Sequence, residues 1–162
     1  SPGPFNRGRM PTYGELMMET DRGGQNRSYL STEENFRFLQ DMENKNLLVP
    51  VVGDFAGPSA LRGVGNYVRD HGASVSAFYL SNVEQYLFQQ SDDWSKFYSN
   101  VDTLPLDSTS TFIRSIFNGM IPPQSVGFGL RSASVVSSIE GSLKAFNAGE
   151  LRTYYDVIEM SH

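Results

Sequence analysis

Residues 47–86 constrain the fold of this chain more than any other stretch. They read LLVPVVGDFAGPSALRGVGNYVRDHGASVSAFYLSNVEQY, which predicts a strand at 47–52, a helix that ends near His71 and a second strand at 75–80. This order of elements forms a right-handed crossover between two parallel strands. The pattern therefore predicts an α/β fold in which helices flank a short, mainly parallel sheet.

The rest of the chain extends this prediction. Residues 111–117, TFIRSIF, predict another strand, and residues 138–147 predict a helix. With 162 residues, the chain is long enough for one domain with a sizeable core. Its first 28 residues are polar and contain several Gly and Pro, so we expect a flexible segment at 1–28 and a single α/β domain at 29–162.

Composition excludes several classes of function. The net charge is −5 and Lys and Arg are not clustered, so we expect no nucleic-acid partner. The longest apolar runs have the length of a strand, so we expect no membrane span. The chain has no cysteine and only two histidines, which excludes cysteine-ligated and histidine-rich metal sites. The pairs Asp92-Asp93 and Asp102/Asp107 could supply oxygens to calcium, but no EF-hand pattern supports this alternative, and we expect no metal site. The absence of cysteine also fits a reducing compartment, and we expect a cytoplasmic protein.

Two polar loops follow the two strands predicted within residues 47–86. Ligands of open α/β sheets bind outside the carboxyl ends of the strands, so we expect these loops to form one pocket. The candidate ligand-binding residues are Gly53, Asp54, Phe55 and Gly57 in the first loop and Ser81, Asn82 and Glu84 in the second. Asp54 and Glu84 are also catalytic candidates. The alternative for both loops is local capping of the helices that follow them.

A hydrolase is a separate hypothesis. Ser59 follows a predicted strand and opens a helix, as the nucleophile of an α/β-hydrolase does, although the G-x-S-x-G pattern ends in Leu61. His71 or His162 would have to serve as the base, with Asp54 or Asp107 orienting it. We predict that Ser59 and His71 lie a helix length apart, which would leave His162 as the only histidine that could serve as the base. A small esterase or lactonase and a non-catalytic interaction or scaffold domain both remain as alternatives.

Several segments of the sequence resemble those of one protein family. They are ENF at 34–36, the run from residue 47 to Gly72, VSAFYLSNVEQYL, LPLDSTSTFIRS and the closing RTYYDVIEMS. Together they resemble the C-terminal part of a family of uncharacterised bacterial proteins whose fold is similar to that of SAM-dependent methyltransferases. The resemblance implies a Rossmann-like partial domain, which corresponds to the second half of a longer methyltransferase-like domain.

The same resemblance implies a function. A methyltransferase-like domain would bind a small molecule, and SAM is the cofactor that the family fold implies. The glycine-rich nucleotide loop belongs to the first half of such a domain, and the Gly63 and Gly65 pair does not replace it because it lies inside a predicted helix. We therefore expect small-ligand binding rather than a competent methyltransferase, with self-association covering the sheet surface that the first half would cover.

Overall fold

The computed structural model describes residues 12–21, 23–117 and 132–161. The chain divides into two compact units, Ser1–Pro50 and Val51–His162. The sequence places a division earlier, after residue 28. The described part of that early segment contains a helix and an isolated antiparallel bridge between Thr20 and Asn26, which gives it more structure than its composition indicates.

The first unit contains two helices, α1 (Tyr13–Met18) and α2 (Glu33–Asn44). Each begins at a threonine whose hydroxyl accepts a hydrogen bond from a backbone N–H of the first turn. For α1 this is a full capping box, because the carboxylate of Glu15 also accepts a hydrogen bond from the backbone N–H of Thr12. Neither helix buries a residue, so local capping rather than a core determines where these helices begin.

The second unit contains a three-stranded sheet and five helices among its described residues. In chain order they are α3 (Ala60–Asp70), β1 (Ala77–Ser81), α4 (Val83–Leu87), α5 (Asp93–Val101), β2 (Thr111–Phe117), β3 (Ser132–Ser138), α6 (Ile139–Asn147) and α7 (Tyr154–Glu159). The strand order is β1-β2-β3, with β1 and β2 parallel and β2 and β3 antiparallel. The predicted α/β class is confirmed, and the sheet is mixed, as in a partial Rossmann-like fold.

The prediction of a strand at residues 47–52 is wrong. The segment forms no ladder with any described residue, and its side chains are exposed, with Val52 fully so. Pro50 has no N–H to donate to a ladder, and no layer of structure buries the apolar side chains. The parallel pair is therefore β1 with β2, and its crossover passes through α4 and α5 instead of α3.

The core lies on one face of the sheet. Burial alternates along β2, where Phe112, Arg114 and Ile116 are buried and their neighbours are not. The aromatic rings of Phe97 and Phe112 pack together at the centre of this core. Helices α3 to α7 all place side chains in the clusters on this face. Within the described residues, no helix is long and apolar enough to cross a membrane.

Candidate functional site

The turn at residues 53–58 is built by local hydrogen bonds. Asp54 accepts from the N–H of Ala56 through Oδ1 at 2.9 Å and from the N–H of Gly57 through its carbonyl at 3.1 Å. A Cβ at Gly53 would lie 2.3 Å from the Cβ of Ala60, so only glycine fits there. The turn is thus an Asx-type turn that leads the chain tightly into α3. Asp54 shapes this turn but does not cap the helix, because both N–H groups that it accepts from precede α3, whose N-cap is Ser59.

Asn100 of α5 holds this turn in place. Its side chain is buried, with 3% of its surface exposed, and Nδ2 donates to the carbonyls of Phe55 at 3.1 Å and Gly57 at 2.8 Å. Its Oδ1 accepts from Nε of Arg62 at 2.8 Å. One buried amide therefore links α5, the turn and the first part of α3, and it fixes one nitrogen of the Arg62 guanidinium.

A cleft of about 690 Å³ opens between the turn, α3 and α5. Its lining, which we call the polar cleft, consists of Asp54, Ala56, Gly57, Pro58, Arg62, Asp93, Ser95, Lys96, Ser99 and Asn100. Two of these side chains are cationic and two are anionic. Lys96 already contacts Asp92 at 2.9 Å and Asp93 at 3.4 Å. In the described part of the chain, Arg62 contacts only Asn100, so its two terminal nitrogens remain for a ligand.

The loop after β1 does not join the polar cleft. Ser81 has a positive φ of 50°, at the point where the pairing of β1 with β2 becomes irregular. Asn82 is the N-cap of α4 without a side-chain capping bond, so Ser81 and Glu84 do not form a capping box although their spacing fits one. None of Ser81, Asn82 and Glu84 lines the polar cleft, which contains residues of the first loop only.

Glu84 belongs instead to a buried network. Its side chain is 2% exposed and pairs with both Nε and Nη2 of Arg114, the latter at 3.2 Å, while the hydroxyl of Tyr98 donates to it. Nη1 of Arg114 donates to Ser137, whose hydroxyl contacts that of Ser142 at 3.4 Å. Burial, followed by the charge of Glu84, raises the pKa of Tyr98 well above its ordinary value, so this hydroxyl stays a donor.

The sequence reasoning missed this network. The available signal was Arg114, the one charged residue of the strand TFIRSIF, at its centre and on the face that alternation assigns to the core. A buried cation requires a partner of opposite charge, and the choice of Glu84 could not be read from the sequence because 30 residues separate the two. The network joins α4, α5, β2, β3 and α6 around one guanidinium, which stacks 4.4 Å from the ring of Phe112.

Ser59 and His71 lie at opposite ends of α3. Ser59 is the N-cap and His71 the C-cap of this 11-residue helix, so twelve residues at a rise of roughly 1.5 Å place them about 18 Å apart, as the sequence predicts. His71 contacts the carbonyl of Tyr67 at 2.7 Å through Nδ1 and packs against its ring. These two residues cannot form a catalytic pair. Asp107 is held by Ser74 and Thr109, which lower its pKa to about 2, and His162 lies outside the described residues.

The glycine pair inside α3 has a packing role at one position. A Cβ at Gly65 would lie 3.1 Å from a side-chain carbon of Leu104 and 3.3 Å from the carbonyl of Thr103. Gly63 has no such neighbour. Because both residues lie within the helix, the pair is not a dinucleotide loop. Among residues 12–21, 23–117 and 132–161, no three acidic or histidine side chains are grouped so that they could hold a metal ion.

Comparison with known proteins identifies a family and no activity. A family model described as a domain of unknown function, DUF7790, matches residues 5–144, which is most of the chain. No curated protein matches the sequence. The polar cleft and the buried network both lie within the matched region.

Proposed function

Since the chain belongs to the DUF7790 family, whose function is unknown, we propose from its geometry that it is a methyltransferase-like domain that binds a small ligand in the polar cleft. The cleft volume of about 690 Å³ falls within the range of small-molecule sites, roughly 300 to 1,000 Å³. The observation that carries the proposal is Arg62, whose guanidinium is fixed through one nitrogen by a buried amide and keeps its terminal nitrogens for a ligand.

The lining groups indicate the chemistry of this ligand. The terminal nitrogens of Arg62 donate, and they suit a carboxylate or another planar anionic group. Asp54 accepts from the turn through Oδ1 only, which leaves Oδ2 for a ligand donor. Ser95 and Lys96 add further polar groups to the lining. We infer a small molecule that carries an anionic group and an ammonium or hydroxyl group, as the amino-acid end of SAM does.

SAM itself should bind weakly. The Rossmann-like partial fold and the resemblance to methyltransferases favour a nucleoside cofactor, but no described loop that joins a strand to a helix is glycine-rich enough to hold it. The polar cleft would then contact only the amino-acid end of such a molecule. Binding is the proposed activity, and the residues of the cleft give no assignment of a catalytic base.

Thermal-shift and calorimetric titration of the whole chain with methionine, S-adenosylhomocysteine and SAM tests the proposal. We expect at least one of these probes to raise the melting temperature of the wild type and to have no effect on Arg62→Ala. Asp54→Asn is the second test variant. An asparagine can still accept from the N–H of Ala56, so the turn is kept while the charge is removed, and we expect weaker binding with an unchanged fold.

Arg37→Ala is the matched control. Arg37 lies on α2, is exposed, and also uses Nε to contact a neighbouring oxygen, that of Glu33 at 3.0 Å. Its removal should leave every titration unchanged. A panel in which no probe shifts the melting temperature, or in which Arg62→Ala responds as the wild type does, would overturn the assignment of the polar cleft as the ligand site.

A further inference from the structure

One face of the sheet carries no charged side chain. Register and alternation place nine described side chains on the face opposite the core: Ala77, Tyr79, Thr111, Ile113, Ser115, Phe117, Ser134, Val136 and Ser138. Tyr79, Phe117 and Val136 are 62%, 46% and 41% exposed. Because the chain contains 31 charged residues, 13 basic and 18 acidic, an uncharged face spanning three strands is a distinct surface.

The outer edge of β3 borders this face and is unprotected. Proteins normally shield edge strands with charged residues, proline, bulges or short length. The seven residues of β3, SASVVSS, include no charge and no proline, and all seven stay in regular register with β2. In the described part of the chain, β3 pairs with β2 alone. The other edge strand, β1, has five residues and an irregularity between Tyr79 and Ser81, so it is the better protected edge.

The register of the sheet creates an apolar row that ends at this edge. Tyr79 lies opposite Ile113, and Ile113 lies opposite Val136, so the three form one line across the open face. A second copy of β3, placed antiparallel about a two-fold axis at Val136, would put Val136 beside its own copy. The row would then continue over six strands as Tyr79, Ile113 and Val136 followed by the same residues in reverse.

We propose that two copies of this chain associate through β3, in antiparallel pairing about a two-fold axis at Val136. The pairing would satisfy the outward backbone groups of residues 134–138, which have no ladder partner among the described residues, and join two three-stranded sheets into one. The sequence of β3 supports a second copy as the occupant, because the axis at Val136 opposes Val136 to Val136, Ser134 to Ser138 and Val135 to Ser137, so no pair brings two charges together. The net charge of −5 on each copy acts against association elsewhere, and the uncharged edge is where this repulsion is weakest. The inference does not depend on the proposed ligand.

Cysteine cross-linking tests the register, and the chain offers a clean background because it has no native cysteine. In the proposed dimer, the two Val136 Cα atoms lie about 4.5 to 5.5 Å apart, within the range of a disulfide. We expect Val136→Cys to form a covalent dimer under mild oxidation. Ser134→Cys is the control, since the two copies of residue 134 would be offset by four residues, or roughly 14 Å. Equal cross-linking of both variants overturns the proposal.

A charge exchange at the same position tests the association itself. We expect Val136→Lys and Val136→Glu each to be monomeric by light scattering, because like charges then lie directly opposite each other, and an equimolar mixture to dimerise. Val52→Lys, at a fully exposed valine, should keep the wild-type state. A wild type that is monomeric at its solubility limit overturns the proposal. A dimer that Val136→Cys cannot cross-link also overturns the proposal, because its copies would not be joined through β3. Two sheets stacked face to face, for example, lie about 10 Å apart, which is too far for this disulfide.

Discussion

The polar cleft and the buried network each contain an arginine held by another side chain, and they differ in what that arginine has left to offer. In the network, all three nitrogens of Arg114 donate within the protein, two to Glu84 and one to Ser137. In the cleft, Arg62 donates through Nε alone, to Asn100, as far as the described residues go. The same functional group therefore ties a core together in one region and faces open space in the other.

This difference shows that the position of a residue in the sequence does not by itself tell whether the residue binds a ligand or stabilises the fold. Asp54 and Glu84 both occupy loops that the sequence places after strands, where ligands of α/β sheets bind. Glu84 is buried and fully paired, whereas Asp54 lies on the wall of a cleft with one oxygen unengaged. Unused hydrogen-bonding capacity at an open surface, more than location after a strand, separates a candidate ligand residue from a structural one.

The largest effect should come from breaking the buried network. Arg114→Leu would leave the Glu84 carboxylate buried without its partner, and we expect a loss of about 3 to 5 kcal/mol in the free energy of unfolding. The double variant Glu84→Leu with Arg114→Leu should be clearly more stable than the single one, because no charge is then left unpaired. Urea denaturation measures both. A double variant no more stable than Arg114→Leu would contradict this account of the pair.

The matched change in the cleft should cost little stability. Arg62 is exposed, but its removal leaves the buried Oδ1 of Asn100 without its donor, so we expect Arg62→Ala to cost about 1 kcal/mol in the same urea titration, well below the loss for Arg114→Leu. The contrast between two arginine removals, one large in stability and one seen mainly in ligand binding, is the most direct measure of the difference between the two regions.

Asn100 connects folding to the cleft, and its removal should have an intermediate effect. Asn100→Ala leaves the carbonyls of Phe55 and Gly57 without their donor, which we expect to cost about 1 to 3 kcal/mol in urea denaturation. It also releases Nε of Arg62, so probe binding should weaken more than the folded fraction explains. Asn147→Ala, at the exposed end of α6, is the control and should change neither. A stable variant with unchanged binding would remove Asn100 from its positioning role.

Local signals predicted much of the fold. The helix that ends near His71 appears as α3, with Gly72 following at a positive φ of 65°, as a helix terminator should. The strand predicted at 111–117 matches β2 residue for residue, and the helix predicted at 138–147 is α6. Each of these elements shows its period, cap or terminator within its own sequence, which is why sequence reasoning was sufficient for them.

Pairing between distant segments could not be predicted. Residues 47–52 have the apolar run of a buried strand, but a strand requires a neighbour, and the run does not encode one. Likewise, the spacing of Ser81 and Glu84 fits a capping box, yet the distant Arg114 takes the carboxylate because a buried guanidinium requires it more than a helix end does. For the site, sequence identified the turn at Asp54, while Arg62 and Asn100 became visible only through their contacts.

The smallest effect should come from Ser59, which lies beside the polar cleft and was the hydrolase candidate. Ser59 is the N-cap of α3, but its hydroxyl makes no capping hydrogen bond, so Ser59→Ala should change the free energy of unfolding by less than about 0.5 kcal/mol. Thr153 is the matched contrast, because its hydroxyl accepts from the N–H of Asp156 at 3.3 Å, and Thr153→Ala should cost about 1 kcal/mol.

Assays of both variants with short-chain esters and lactones complete the test. With His71 at the far end of the helix, we expect Ser59→Ala to leave any measured hydrolysis unchanged. Hydrolysis that disappears with this hydroxyl alone would make Ser59 a nucleophile with a base outside α3, and would move the chemistry of the chain from binding to catalysis.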